Sequence, residues 1–492
     1  MSDAVHARRP APGEGRLTVD DVVRYVRHPW ALELSAQVRE ALVANAAVAE
    51  AAVERGEAYG RTTGVGANRD TVVESGDGDH GLRLVRSHAA GAGPDLGADV
   101  ARATMLVRAH QLSLPGSGIP AEVVEALVAA ANDGRSPIVR RYGGVGTGDI
   151  TVLGELALCL LGEMPWRGGT TESYLPTIGA NAALALMSSS APTLAIAALA
   201  VDELRTVARA SLVAAALTGV VVRATGQQWS EVAADVRPSP GVEAATRAWR
   251  ALVDGTPVSP PRTQDPFGWR TAPYAIGALL DGVDEAAGEV EACINAGIEN
   301  PRFADGHVVH HGGFYLLSLS LKLDALRAAV AQCASLSITR LVKLHDPSYT
   351  GAGRFLAVGP RGSNGTMVLE YAAASALEEA RGLADPVTRG SVSLSLGNED
   401  AAPWTWRAAQ ATDEIAEPMR VVVACELVAA VRALRMTIGA QFGPGVREAL
   451  DSCRALPDQV GDRSLVADIA TAVEALPALA SLSASGGWLT DR

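Results

Sequence analysis

The chain has 492 residues, 48% of them hydrophobic and only 4% aromatic, with a formal charge of −13. That suffices for a large core, in one big domain or two to three smaller ones, built from helices packed through small side chains. No block of Lys or Arg offsets the acidity, which excludes nucleic acid and an anionic membrane surface as partners. Residues 1–15 are polar, contain Pro and Gly, and read as a flexible tail without a leader segment. Helical periodicity follows over Leu34 to Glu57, Asp99 to Leu112, Ala121 to Asn132, Val152 to Gly162, Ala180 to Ser188, Thr193 to Ala216 and Val242 to Val253. Tyr274 to Asn295, Tyr315 to Leu341, Thr366 to Leu383 and Asp413 to Thr437 are long enough for extended bundle helices. Alternating β-branched residues never persist beyond a few positions.

The most apolar region, Ala191 to Val222, is interrupted by Asp202, Glu203, Arg205 and Arg209 and reads as a buried helix pair, not a membrane span. Breaks at Gly91 to Pro94, Val236 to Pro240 and Gly255 to Pro266 are short connectors. The expectation is a mainly α chain with one continuous domain over 16–492, an N-terminal part to about residue 235 and a long-helix part from about residue 274. Cys159, Cys293, Cys333, Cys425 and Cys453 are scattered and form no CxxC, so neither a disulfide framework nor a zinc knuckle is expected. A soluble cytoplasmic protein is expected.

Several segments carry candidate chemistry. Tyr142-Gly143-Gly144-Val145-Gly146-Thr147-Gly148-Asp149 sets four glycines and a hydroxyl ahead of an Ala/Leu-rich run. Glycines at that density let the backbone fold back where a side chain would clash, and Asp149 reads as a helix start with an acid at its positive end. Alone, most such segments are turns. Tyr59-Gly60-Arg61-Thr62-Thr63-Gly64-Val65-Gly66 alone is a Gly-rich surface turn. His88 in Leu84 to Gly91 alone is a core histidine or a helix-end cap, Arg270 in Gln264 to Pro273 a surface arginine, and Glu399 in Ser395 to Asp400 part of an acidic loop. His307, His310 and His311 would share a helical face and could hold a transition metal. No carboxylate or cysteine stands at ligand spacing, and Gly312-Gly313 argues against a helix, so no metal is assigned.

In order and spacing these segments resemble the histidine and aromatic amino-acid ammonia-lyase family over roughly residues 59 to 400. The family's loop string is Gly-Ser-Val-Gly-Ala-Ser-Gly-Asp, whose Ala-Ser-Gly cyclises and dehydrates to a methylidene-imidazolone (MIO), an electrophile that activates an amine. The matching tripeptide here is Gly146-Thr147-Gly148. The resemblance makes Tyr59 the base that removes a β-proton, on a loop ending at Gly66. It aims His88 and Glu399 at the substrate and gives Arg270 the substrate carboxylate, which a guanidinium grips in a two-point fork. It also implies a fumarase/aspartase-like bundle of long helices, assembled as a homotetramer whose sites draw on three subunits, and an amino-acid-like small-molecule substrate.

The departures cluster at one centre. The family's serine is Thr147, its loop-supporting asparagine is Ser188, its site tyrosine is Phe267, and a second asparagine is Gly313; Glu299-Asn300-Pro301 still resembles the family's Asp-Asn-Pro turn. Dehydration at Thr147 would give an ethylidene, whose methyl donates electron density and obstructs an amine. Three readings follow: an MIO-free lyase or isomerase driven by Tyr59, with no cofactor; an ammonia-lyase or aminomutase using a Thr147-derived group; or a binding homologue without catalysis.

Overall fold

A computed structural model describes residues 9–74, 76–437 and 441–485. The chain divides into two compact units. Unit 1 comprises the chain up to Asp202 with Ala286–Leu323 and Pro386–Gln410; unit 2 comprises Glu203–Glu285, Asp324–Asp385 and the chain from Ala411.

Unit 1 begins with α1 (Val19–Arg27), whose Thr18 and Asp21 form a reciprocal capping box, and α2 (Ala36–Val53), capped by Ser35. Then come α3 (His80–His88), α4 (Ala98–Leu112), α5 (Ala121–Asn132), α6 (Ile150–Leu160) and α7 (Ala180–Met187). Helices α3, α6 and α7 pack on one another. Two antiparallel ribbons complete the unit: β1 (Ala92–Asp95) with β2 (Arg140–Tyr142), and β3 (Arg302–Ala304) with β4 (His307–Val309). Helix α8 (Ala191–Val221) starts in unit 1 and ends in unit 2. The apolar region expected as a helix pair is therefore one 31-residue helix: its interrupting charges sit on partly exposed positions, while most other side chains are buried.

In unit 2, α9 (Glu231–Val236), α10 (Pro240–Val253) and α11 (Phe267–Arg270) precede α12 (Ala272–Ile294), which runs on into unit 1. Helix α13 (Leu317–Leu344) enters unit 2 from unit 1, and α14 (Pro347–Thr350) and α15 (Leu369–Leu383) follow. The final helices are α16 (Thr405–Glu414), α17 (Ala416–Met436), α18 (Pro444–Ser452) and α19 (Val466–Ser485). Helix α17 packs against both α15 and α19. The run expected as one helix from Asp413 to Thr437 is broken at Ile415, and α1, α3, α18 and α19 lie where no helix was expected.

Residues 1–8 of the expected tail lie outside the described residues. Within 9–15, Pro10 and Pro12 are buried, and the Gly13 N–H donates to His110 Nδ1 at 3.2 Å. All five cysteines are free and buried, and burial pushes the Cys159, Cys293, Cys333 and Cys425 thiols up to about 12.

Candidate active site

The glycine loop joins β2 to α6, and its shape is dictated from below by α16. Trp406 donates its indole N–H to the Arg141 carbonyl at 2.8 Å, and Gln410 donates to the same oxygen at 2.9 Å. The Trp404 N–H reaches the Val145 carbonyl at 3.1 Å. A Cβ on Gly144 would stand 2.7 Å from the Trp406 indole, and one on Gly146 would stand 2.5 Å from the Thr405 nitrogen. Gly146 and Gly148 have φ of +91° and +113°, and both are buried beneath a half-buried Thr147. Gly146→Ala, which would restore the family's residue, is therefore expected to cost about 1–3 kcal/mol of stability. A lower urea midpoint at unchanged slope is the measurement.

Asp149 closes the loop, but its carboxylate does not cap α6, the helix it precedes. Oδ2 accepts the Thr193 N–H in the first turn of α8 at 2.8 Å, while Oδ1 is buried without a partner. The Asp149 N–H donates to the Ser189 carbonyl at 2.7 Å, so the loop is tied to the segment between α7 and α8. Burial, opposed by the bond from Thr193, pushes the Asp149 carboxyl up to about 7. The folded state then holds a proton that an unfolded Asp releases near 3.9, so stability should fall as pH rises from about 4 to about 7, by roughly 1.4 kcal/mol per pH unit. Asp149→Asn should flatten that slope in denaturant titrations across this range; an unchanged slope would refute the assignment.

Ser188 ends α7. Its hydroxyl is engaged with the backbone of Asn300, accepting that N–H at 3.2 Å. The Asn300 side-chain oxygen accepts the His311 N–H at 2.9 Å. Arg108, inside the buried stretch of α4, donates to Glu299 Oε1 at 2.6 Å, to the Leu186 carbonyl at 3.0 Å and to the Ala185 carbonyl. It thus serves carbonyls that the end of a helix leaves unpaired. Sequence reasoning missed Arg108, which shares α4 with Asp99, Arg102 and His110 and so carries no signal of its own.

The tyrosine loop rests on the same helix. A Cβ on Gly60 would stand 2.3 Å from Leu184 Cδ2 of α7. The loop is anchored by Arg61, which donates to the Ser117 and Gly118 carbonyls at 3.1 and 2.9 Å and lies over the Phe303 ring. Tyr59 Oη accepts the Gly66 N–H at 2.6 Å, and the Tyr59 N–H donates to His310 Nε2 at 3.3 Å. Gly66 has φ +58°; a Cβ there would stand 2.3 Å from Ser395 Oγ and 3.9 Å from Glu399 Oε1. Tyr59, Gly66 and Glu399 therefore meet, held by the tight Leu394–Glu399 turn. Burial raises the Tyr59 phenol above its ordinary value; the Gly66 N–H opposes this and the Glu399 charge adds to it.

His88 is the last residue of α3, where Gly154 of α6 lets the two backbones approach. Its Nδ1–H donates to the Leu84 carbonyl at 2.7 Å. The histidines of 307–311 share no helical face. His307 lies on β4, and His311 donates from Nε2 to the Glu299 carbonyl while Nδ1 accepts the Gly313 N–H. Phe267 and Arg270 lie in unit 2 on α11. The Phe267 ring is 64% exposed, with the Arg270 guanidinium 4.3 Å from its centroid.

Residues 17–455 match the aromatic amino acid lyase family. The chain belongs to that family. This lyase is 31% identical over 479 residues to a histidine ammonia-lyase of Symbiobacterium thermophilum, with 93% of this chain and 94% of the relative covered. A histidine ammonia-lyase of Gloeobacter violaceus is 32% identical over 481 residues, again with 93% and 94% covered. Among solved structures, ergothionase from Treponema denticola superposes with a TM-score of 0.89 at 23% identity, covering 96% of this chain and 99% of that one. Tyrosine aminomutase from Streptomyces globisporus gives a TM-score of 0.89 at 22% identity, covering 96% and 97%. The helical ammonia-lyase fold and the lyase class expected from sequence are thus established.

The family normally carries MIO, made from its own Ala-Ser-Gly. The residues of this lyase do not fit that group as they stand. The glycine loop carries Gly146-Thr147-Gly148 in place of Ala-Ser-Gly, and the Ser188 hydroxyl is engaged by the Asn300 N–H.

Proposed function

We propose that this lyase acts on an amino-acid-like carboxylate by proton abstraction and elimination without a normal MIO group. The observation that carries this reading is the pairing of Tyr59 Oη with the Gly66 N–H beside Glu399, while Thr147 and Ser188 stand where the resemblance puts the groups that serve the electrophile. In the proposed step Tyr59, as phenolate, takes the β-proton onto Oη. The C–H electron pair becomes the new C=C bond, and the leaving group departs with its own bonding pair. Arg270, from another subunit of the proposed homotetramer, holds the carboxylate, and His88 and Glu399 orient the remainder. A leaving group better than ammonia needs no activation; isomerisation or cyclisation through the same carbanion is the related outcome. A cytoplasmic homotetramer acting on a small molecule belongs to this proposal, and a monomer by light scattering would count against it.

The relatives named histidine ammonia-lyase support a second reading, in which Thr147 matures and the substrate is histidine or a related amino acid. Peptide mass across Tyr142 to Asp149 separates the two. An unmodified mass is expected; a deficit of two waters overturns the MIO-free reading. Arg270→Lys is expected to raise KM about 10- to 100-fold with a smaller effect on kcat, because an ammonium cannot copy the guanidinium fork. Steady-state kinetics on the substrate found by screening is the check.

A further inference from the structure

Unit 2 contains a buried ion pair whose connections end on a single four-residue turn. Glu426 is fully buried and accepts from Arg340 Nε at 2.5 Å and Nη2 at 2.8 Å, from Ser337 Oγ at 2.5 Å and from Thr218 Oγ1 at 3.3 Å. Arg340 Nη1 donates to the Gly268 carbonyl at 3.1 Å. Thr218 Oγ1 accepts the indole N–H of Trp269 at 3.0 Å and shares its own proton between Glu426 and the nearer Ala215 carbonyl at 3.0 Å. Gly268 and Trp269 are the middle of α11, and Arg270 is its last residue. The fit against α13 is close: a Cβ on Gly268 would stand 2.6 Å from Thr339 Oγ1 and 3.1 Å from Arg340 Cγ. On the chain's other side of the turn, Asp265 accepts the Thr225 N–H at 2.7 Å and Arg262 Nε at 3.1 Å.

A single turn of helix cannot hold itself in water, so the direction of α11 is set by what grips it. Core stability alone does not require a buried Glu–Arg pair, since well-packed apolar residues of similar volume do as well or better. Direction is another matter: the carboxylate fixes Arg340, which holds the Gly268 carbonyl, and helps the Ala215 carbonyl to hold Thr218. We propose that Glu426 is a positioning residue for Arg270. Acting through Arg340 on Gly268 and through Thr218 on Trp269, it fixes the turn from which the guanidinium reaches a substrate carboxylate. This rests on the reading of Arg270 as the carboxylate anchor.

Glu426→Gln alone would strand Arg340 and risk misfolding, so two gentler variants make the test. Arg340→Met/Glu426→Leu removes both charges together; Thr218→Val leaves the ion pair and removes only the hydroxyl. Amide hydrogen exchange across residues 266–272 is expected to speed up in both, with the global unfolding midpoint retained. Kd for L-histidine, as the carboxylate probe, is expected to rise about tenfold by calorimetry, and Kd for L-histidinamide to stay put. Unchanged exchange over 266–272 overturns the clamp. Faster exchange with the L-histidine Kd unmoved, where Arg270→Lys does raise it, overturns the positioning role and leaves the carboxylate anchor standing. A Kd unmoved by Arg270→Lys overturns that anchor, and this inference with it.

Discussion

Tyr59→Phe is expected to lower kcat about 10²- to 10⁴-fold, the span that a positioned general base contributes. The substitution keeps the ring, its edge-on contact with His310 and the packing of Gly60 on α7; it removes only the oxygen that accepts the Gly66 N–H. Stability should change little by comparison, since one hydrogen bond contributes roughly 0.5–1.5 kcal/mol net. The pH dependence follows from the raised phenol. Phenolate is the active form, and burial beside Glu399 disfavours it, so kcat/KM should climb with pH towards the alkaline side in the native protein. The residual activity of the Phe variant should lack that limb. A Tyr59→Phe protein with more than half of native kcat would remove Tyr59 from the chemistry.

Arg108→Met is the substitution expected to cost most in stability, about 3–5 kcal/mol, because it leaves the Glu299 carboxylate buried without its counter-charge. The two side chains are 0% and 3% exposed, so water cannot compensate. The Ala185 and Leu186 carbonyls lose their donor at the same stroke. Arg108→Met/Glu299→Met should recover most of the loss, because contacting residues are strongly non-additive. Urea midpoints for the two single variants and the double give the coupling directly. A single-variant loss below about 1 kcal/mol would show that the pair is exchangeable with solvent after all.

Much of this was legible in the sequence, and the limits have physical causes. Helices Ala98–Leu112 and Ala121–Asn132 emerge with nearly their expected bounds, although Ala98–Leu112 is buried on all sides from Ala103 onward. Val466–Ser485 was missed: it carries Pro477 in its interior and an apolar, weakly periodic run. The meeting of Tyr59, Gly66 and Glu399 has no local signal, because no local rule links residues more than 300 positions apart. Separations of 191 and 86 residues likewise hide Arg108–Glu299 and Arg340–Glu426, which leave no spacing signal. Asp149 shows a subtler limit. An acid ahead of a helix reads as its cap, yet this one serves the Thr193 N–H of a different helix, a choice made by tertiary packing.

The seating of the glycine loop on Thr405 and Trp406 also sets a clock. Those residues follow Thr147 by about 260 positions, so they leave the ribosome roughly ten to fifty seconds after it, at ~5–20 residues per second. A nascent chain that has exposed Gly146-Thr147-Gly148 has nothing yet to bend it against. Any covalent change that depends on this bend must therefore wait until synthesis is nearly finished, and chains truncated before Thr405 should keep the encoded mass at these positions.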